Sequence, residues 1–281
     1  MKNFGLLCTL FAVFIITATS AQQVKVMTYN IRLNTASDGE NRWDNRKEML
    51  TGQVLFYEPD FMGVQEALPE QMQFLNTNLD SIYSSIGAGR DDGKNKGEFS
   101  AVFYNKKKYK LIESNTFWLS ETPEKPSKGW DAAYNRVCTY GKFKNTKTGQ
   151  ELWMFNTHFD HVGDVARNES AKLILKTIQE VNKQNLPFIL TGDFNLEPES
   201  QPIITISKEM NDSKLAADFT YGPQGTFNGF EFTKPVTNRI DYIFTSKNGI
   251  KVKKYAVLSN SDLCRYPSDH FPVYAELEIK K

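Results

Sequence analysis

The sequence predicts an α/β fold of mixed β-sheets with helices packed on their outer faces. Two observations carry that prediction. Ten runs rich in Val, Ile, Phe and Tyr recur at residues 24–30, 61–66, 99–104, 111–119, 136–143, 152–158, 188–193, 239–245, 251–257 and 272–279, which is strand composition. Hairpin-like neighbours such as 99–104 and 111–119 alternate with helical crossovers, so antiparallel and parallel pairing are mixed.

The elements follow in chain order. Lys2 precedes an almost unbroken apolar run, residues 4–16, and then small Thr19, Ser20 and Ala21. Residues 1–21 read as a secretory signal peptide, which would place the mature chain in the periplasm or outside the cell. The alternative is an uncleaved anchor, but the run is short for a membrane span. Helices are expected at 42–57, at 69–79 with Pro69 near its start, and at 164–181. In the last of these Ala171, Ile174, Leu175, Ile178 and Val181 fall at helical spacing. No repeat, linker or composition break divides residues 22–281, which read as one catalytic domain. Lys and Arg total 34 against 33 Asp and Glu. That balance argues against a protein whose main task is gripping duplex nucleic acid, and it leaves a local basic groove open. Beyond Cys8 in the apolar run, Cys138 and Cys264 lack the close spacing of a thiolate zinc site. They are expected as small buried hydrophobes, with their pairing left open.

Four apolar runs stop on groups that can hold a cation, a phosphate or a proton. "VKVMTYN" ends on Asn30, "DFMGVQE" on Glu66, "LWMFNTH" on His158, and "FILTGDFN" on Asp193 and Asn195. Any one of them reads as turn chemistry. Four together point to a shared site at one sheet edge, because a buried ionised carboxylate is costly unless paired or bound to metal. "NRIDYIF" places Asp241 inside a strand, and "YPSDHFPV" places Asp269 and His270 just before one. The start of an antiparallel strand lies beside its partner's end, so these residues can join the same edge. Of the three histidines, His158 and His270 sit in acid-containing motifs; His161 reads as structural or peripheral.

These residue types suggest a chemistry. Asn30, Glu66 and Asp269 are oxygen ligands that suit Mg²⁺ or Mn²⁺ beside a substrate phosphate. Either histidine could still ligate zinc. Asp193 can deprotonate an attacking water, with Asn195 holding the water or the carboxylate. His270, fixed by Asp241, can donate to a phosphoryl oxygen, and His158 can contact the phosphate from the other side. The sum is phosphoester hydrolysis by in-line water attack. Neither a Gly-x-Ser-x-Gly elbow nor a Walker loop is present.

In order, "TYNIR", "GVQE", "NTHFDH", "TGDFN", "RIDYIF" and "SDHFPV" resemble the endonuclease/exonuclease/phosphatase superfamily. "GWDAAYNRVCTYGKF" followed by "NTHFDHVGDVARNESA" looks most like a secreted bacterial branch of it. The resemblance implies a four-layer α/β/β/α sandwich of two mixed sheets. It implies Asn30, Glu66 and Asp269 around magnesium, Asp193 as base beside Asn195, His270 paired with Asp241, and His158 on the phosphate. It also implies Glu98 as an acid supporting His158, and Arg136 as a basic residue near the substrate. A strand-edge salt bridge is the competing reading of those last two.

Loops 120–135 and 220–235 are candidates for substrate selection. Trp130 and Tyr134 in the first, and Tyr221, Phe227, Phe230 and Phe232 in the second, could stack on a base or sugar, or pin the loops down. "NKKKYK", residues 105–110, reads as a solvated hairpin tip. The leading expectation is a monomeric phosphodiesterase acting on nucleic acid, a nucleotide or a small diester. The alternatives are a phosphomonoesterase on sugar or inositol phosphates, and a non-catalytic module that binds a phosphate ligand.

Overall fold

A computed structural model describes residues 21–280. The expected signal therefore lies outside the described residues, Ala21 apart. The strands are β1 (Gln22–Asn30), β2 (Phe61–Ala67), β3 (Tyr83–Ile86), β4 (Phe99–Asn105), β5 (Tyr109–Trp118), β6 (Val137–Asn145), β7 (Glu151–His158), β8 (Phe188–Asp193), β9 (Met210–Asp212), β10 (Phe219–Tyr221), β11 (Asp241–Ser246), β12 (Ile250–Val257) and β13 (Val273–Ile279). The helices are α1 (Lys47–Tyr57), α2 (Pro69–Leu79), α3 (Asp164–Val181), α4 (Gln201–Glu209) and the single turn α5 (Ser213–Ala216). No helix among the described residues is long and apolar enough to cross a membrane.

Two mixed sheets form, of seven strands in the order β10-β12-β13-β1-β2-β4-β3 and six in the order β5-β6-β7-β8-β11-β9. Their facing sides share one core, in which Val26, Phe61 and Val102 meet Met154, Ile189 and Ile243. Leu50, Val54, Leu75 and Leu79 lay α1 and α2 on the outer face of the larger sheet. Ile174, Ile178, Ile203 and Ile206 lay α3 and α4 on the outer face of the smaller one. The result is the expected four-layer sandwich.

Pairing direction creates the functional edge. β1 runs parallel to β2 with Asn30 beside Gln65, and β7 runs parallel to β8 with His158 beside Asp193. All four of these strands therefore finish at one end. β13 is antiparallel to β1, and β11 is antiparallel to β8 with Asp241 opposite Asp193. Their first residues arrive at the same end. Behind this edge, polar groups tie the two sheets together. Gln65 Nε2 donates to Asn156 Oδ1 (2.6 Å) and Thr28 Oγ1 (3.0 Å), and Thr191 Oγ1 donates to Asn156 Oδ1 (3.0 Å). Gly63 makes that approach possible, since a Cβ there would overlap Thr191 Oγ1 and Asn156 Oδ1.

The structure corrects several expectations. Residues 36–45 form short 3₁₀ turns, and the helix expected from residue 42 starts at Lys47. The reason is Arg46. Its buried guanidinium donates to the carbonyls of Asn41, Ile31, Arg32 and Pro267, which pulls the preceding chain out of helical register. Asp241 opens β11 instead of sitting inside a strand. The short β3, β9 and β10 and helices α4 and α5 carry no sequence expectation. Cys138 is a buried free thiol, as expected; Cys264 is free but exposed.

Candidate active site

Each strand end delivers one polar group. Asn30 Nδ2 donates to Glu66 Oε1 (3.1 Å) and to Asp193 Oδ2 (2.8 Å). Glu66 has φ +62° at a pairing irregularity between Val64 and Ala67. Such a bulge re-aims a side chain, and here Glu66 Oε2 accepts from Leu33 N at 3.0 Å. Ser268 Oγ donates to the Asn30 carbonyl at 2.7 Å, tying the segment before β13 to the end of β1. That places buried Asp269 3.7 Å from Arg32 Nε. Arg32 in turn grips Asp38 through Nε and Nη2, at 3.0 and 2.9 Å.

Asp193 is the centre of the arrangement. His158 Nε2 stands 3.5 Å and His270 Nε2 3.7 Å from the same oxygen, Oδ2. The Asn195 amide N–H donates to Oδ1 at 2.8 Å. Burial first, and then the Asp241 carboxylate, push the Asp193 carboxyl up to about 7, against the opposing pull of His270 and Asn30. The two histidines diverge for physical reasons. Burial works to lower His270, but Asp241 (2.9 Å from Nδ1) and Asp193 outweigh it and hold the imidazole protonated well above its usual range. His158 is driven well below that range by burial, then by the Arg136 and Arg90 guanidiniums, so it is neutral. Asp241 Oδ1 is buried with no partner.

The expected support of His158 by Glu98 is not direct. Glu98 Oε2 is 3.8 Å from His158 Nδ1, while Arg136 Nη1 is at 3.0 Å. Glu98 instead binds Arg90 Nη1 at 2.7 Å. Burial raises the Glu98 carboxyl, and Arg90 opposes that rise.

Of these side chains Glu66, His158 and Asn195 line a cleft of about 510 Å³, whose wall also includes Arg32, Arg90, Tyr134, Arg136 and Phe227, while Asn30, Asp193, Asp241, Asp269 and His270 are buried and do not line it. Tyr134 reaches it and is 52% exposed. Trp130 is not among the lining residues; its backbone N–H meets the Glu121 carboxylate instead. In the second loop only Phe227 lines the cleft. Phe232 packs on Tyr266 (5.1 Å between centroids), Phe230 lies under Arg46, and Tyr221 is exposed on β10. Sequence reasoning missed Arg32, Arg90 and His161 as cleft residues. Arg32 was legible as the last residue of "TYNIR", two positions after Asn30.

The donor set fits a hard divalent cation. Glu66, Asp269 and Asn30 offer oxygen; among the described residues the groups whose ligand atoms lie within 4.8 Å of one another are Glu66 with His158 and Asp193, and Asp193 with Asp241 and His270, so that Asp269 belongs to neither. Among the described residues no thiolate is nearby: Cys138 packs in the core under α3, and Cys264 sits on an exposed loop.

Comparison with known proteins agrees with this geometry. An endonuclease/exonuclease/phosphatase family protein from Bacteroides thetaiotaomicron superposes with TM-score 0.89 at 40% identity, over 93% of this chain and 100% of that one. A mannosyl-6-phosphatase from the same species superposes with TM-score 0.87 at 42% identity, over 90% of this chain and 99% of that one. The CCR4-Not complex 3'-5'-exoribonuclease subunit Ccr4 of Mycosarcoma maydis is 24% identical over 314 residues, which is 85% of this chain but 46% of that protein. The chain thus spans less than half the length of that relative. The model of the Endonuclease/Exonuclease/phosphatase family matches residues 27–270, a span that contains every residue placed at the cleft above. The chain belongs to the endonuclease/exonuclease/phosphatase family of phosphoester hydrolases.

Proposed function

We propose that the protein is an exported, divalent-metal-dependent phosphomonoesterase acting on phosphorylated sugars. The observation that carries the substrate reading is the shape of the charge. Arg32, Arg90 and Arg136 ring one compact cleft, which suits a phosphate dianion on a small alcohol. A nucleic-acid strand asks for a basic track with successive stacking platforms. The basic cluster at Lys106–Lys108 lies at the opposite end of the sheets, and Lys106 and Lys108 there are paired with Asp80 and Asp60. The similarity to a mannosyl-6-phosphatase supports the same reading over the diester expectation.

Glu66, Asp269 and Asn30 would hold Mg²⁺ or Mn²⁺. Bound there, the cation supplies Lewis-acid stabilisation of charge developing on the phosphoryl oxygens. The protein's own groups do the rest. Asp193, with its carboxyl near 7, takes the proton of the attacking water while the Asn195 N–H steadies Oδ1. Protonated His270, braced by Asp241, gives Nε2–H to a phosphoryl oxygen, and neutral His158 faces the phosphate from the other side of Asp193. The guanidiniums orient the dianion.

The test compares kcat/KM for hexose 6-phosphates, bis-(p-nitrophenyl) phosphate and single-stranded oligonucleotides, with Mg²⁺ or Mn²⁺ supplied. Hexose 6-phosphates should lead by about 10²-fold or more, and a chelator should abolish turnover that added metal restores. A preference for the diester or the oligonucleotide would overturn the substrate reading. Export predicts a mature chain starting at Gln22, which mass spectrometry of the secreted protein reads directly.

A further inference from the structure

One guanidinium reaches two imidazoles. Arg136 Nη1 lies 3.0 Å from His158 Nδ1, and Nη2 lies 3.2 Å from His161 Nδ1. The fork cannot swing away, because its Nε faces Asp160 at 3.4 Å. Asp160 is itself pinned by the N–H groups of Val162 and Gly163, at 2.9 and 2.8 Å. Arginine donates only, and it does not lose its charge in proteins. A ring N–H pointed at it would set donor against donor. Each Nδ1 therefore offers its lone pair, which leaves Nε2 as the nitrogen that carries the proton.

We propose that Arg136 is a tautomer clamp that makes His158 and His161 a pair of Nε2–H donors, and that His161 binds an oxygen of the leaving alcohol. His161 is exposed and lines the cleft. Tyr134 stacks on its ring at 5.9 Å and 21°, and so restricts the ring plane. With Nδ1 held by Arg136, the opposite edge carrying Nε2 is the free one. A sugar hydroxyl oxygen is the acceptor such a donor takes, a step that rests on the sugar-phosphate reading.

Asn195 is the group that must yield. Its Nδ2 stands 3.0 Å from both His158 Nε2 and the Phe159 carbonyl. Two donors cannot meet at Nε2. Arg136 is a donor in every state, whereas the Asn195 amide can turn its oxygen to Nε2 by giving up its bond to the Phe159 carbonyl. The clamp therefore sets the proton and Asn195 adapts to it.

Only three histidines are present, so ¹⁵N-histidine labelling of the whole protein reads the tautomers directly. His158→Gln and His161→Gln supply the assignments. Both rings of the wild type should show protonated Nε2 and bare Nδ1; a protonated Nδ1 on either ring overturns the clamp. In Arg136→Lys the single ammonium cannot serve both rings, and at least one should shift towards the averaged pattern of free imidazole. An unchanged pattern in a folded Arg136→Lys also overturns it. For substrate contact, His161→Ala should lower the ratio of kcat/KM for a hexose 6-phosphate over p-nitrophenyl phosphate about fivefold to tenfold, one hydrogen bond's worth. His161→Gln, which keeps an N–H near the Nε2 position, should recover most of it. An unchanged ratio in His161→Ala overturns the contact. If no hexose phosphate is hydrolysed, the substrate reading and the contact fail together, while the spectra still decide the clamp.

Discussion

Two buried aspartates at opposite ends of the sheets are built for different purposes. Asp60 precedes β2 at the end away from the cleft. Its Oδ2 accepts from Lys25 N at 2.9 Å, and its Oδ1 meets Lys108 Nζ at 2.7 Å. Asp193 ends β8 at the cleft, where Asp241 stands opposite it in the register. The Asn30 amide and the Asn195 N–H donate to it, and two imidazoles stand 3.5 and 3.7 Å away. Asp60 has the Lys108 charge and a backbone donor to itself, whereas Asp193 shares the His270 imidazolium with Asp241, is crowded by that second acid and is left proton-hungry. Burial alone separates nothing, since both are almost fully buried. What separates a structural carboxylate from a reactive one is whether its neighbours neutralise it.

The largest effect expected from breaking this contrast is on Asp193. Asp193→Asn removes the base and should cut kcat about 10²–10⁴-fold. Stability should move the other way in the metal-free protein. A carboxyl whose folded pKa is raised is favoured as the neutral acid, so ionising it as pH climbs through about 7 costs the fold stability. The asparagine mimics the neutral acid. Thermal melts should therefore show Asp193→Asn more stable than wild type near pH ~8 and no better near pH ~4. Equal melting temperatures at both values would remove the crowding account.

The next effect sharpens the comparison by testing what holds the reactive end together. Gly63→Ala would drive a methyl into Thr191 and Asn156 between the sheets. Overpacking of this kind costs about 1–3 kcal/mol. The loss should appear in denaturant melts, with activity falling as well because β2 carries Glu66. Full activity with lowered stability would mean the sheets separate without disturbing the cleft.

Asp60→Asn should behave as the mirror image of Asp193→Asn. It removes a charge-assisted partner of Lys108 and should cost about 1–3 kcal/mol, with kcat/KM unchanged. Lost activity would show that the two ends are coupled through β1 and β2.

The same contrast explains what the sequence could tell. Polar groups that finish long apolar runs announced themselves, because composition and length mark the runs that become β1, β2, β7 and β8, and each run stops on an acid, an amide or an imidazole. β3, β9 and β10 span four, three and three residues, too few to show a period. Arg90 was hidden because "GRDDGKNKGE" reads as a polar loop. The bridge between Gly89 and Phe99, with Arg90 N bonded to the Glu98 carbonyl at 3.1 Å and the Arg90 carbonyl accepting from Trp118 Nε1 at 2.7 Å, brings that loop back to the cleft. His161 looked peripheral because nothing in "FDHVGD" betrays that Arg136, 25 residues earlier, reaches its ring. The start of α1 was misplaced because Arg46 bonds to carbonyls as distant as Pro267. Strand-end chemistry is local and readable; contacts made by long basic side chains are not.

The smallest expected effect is at Lys106, on the hairpin tip that the sequence marked as basic. Its pair with Asp80 spans 2.8 Å, but the side chains are 37% and 75% exposed. Water and salt screen such a pair, and holding two flexible chains in one geometry opposes what attraction remains. Lys106→Ala should shift stability by less than about 0.5 kcal/mol and leave kcat/KM unchanged for sugar phosphates. Oligonucleotide binding, measured at low salt, should not change either, because this tip lies at the end of the sheets away from Asp193. A marked loss of oligonucleotide binding in Lys106→Ala would reassign the far end of the molecule from solvated turn to nucleic-acid contact, and would revive the diester reading that the arginine-ringed cleft argues against.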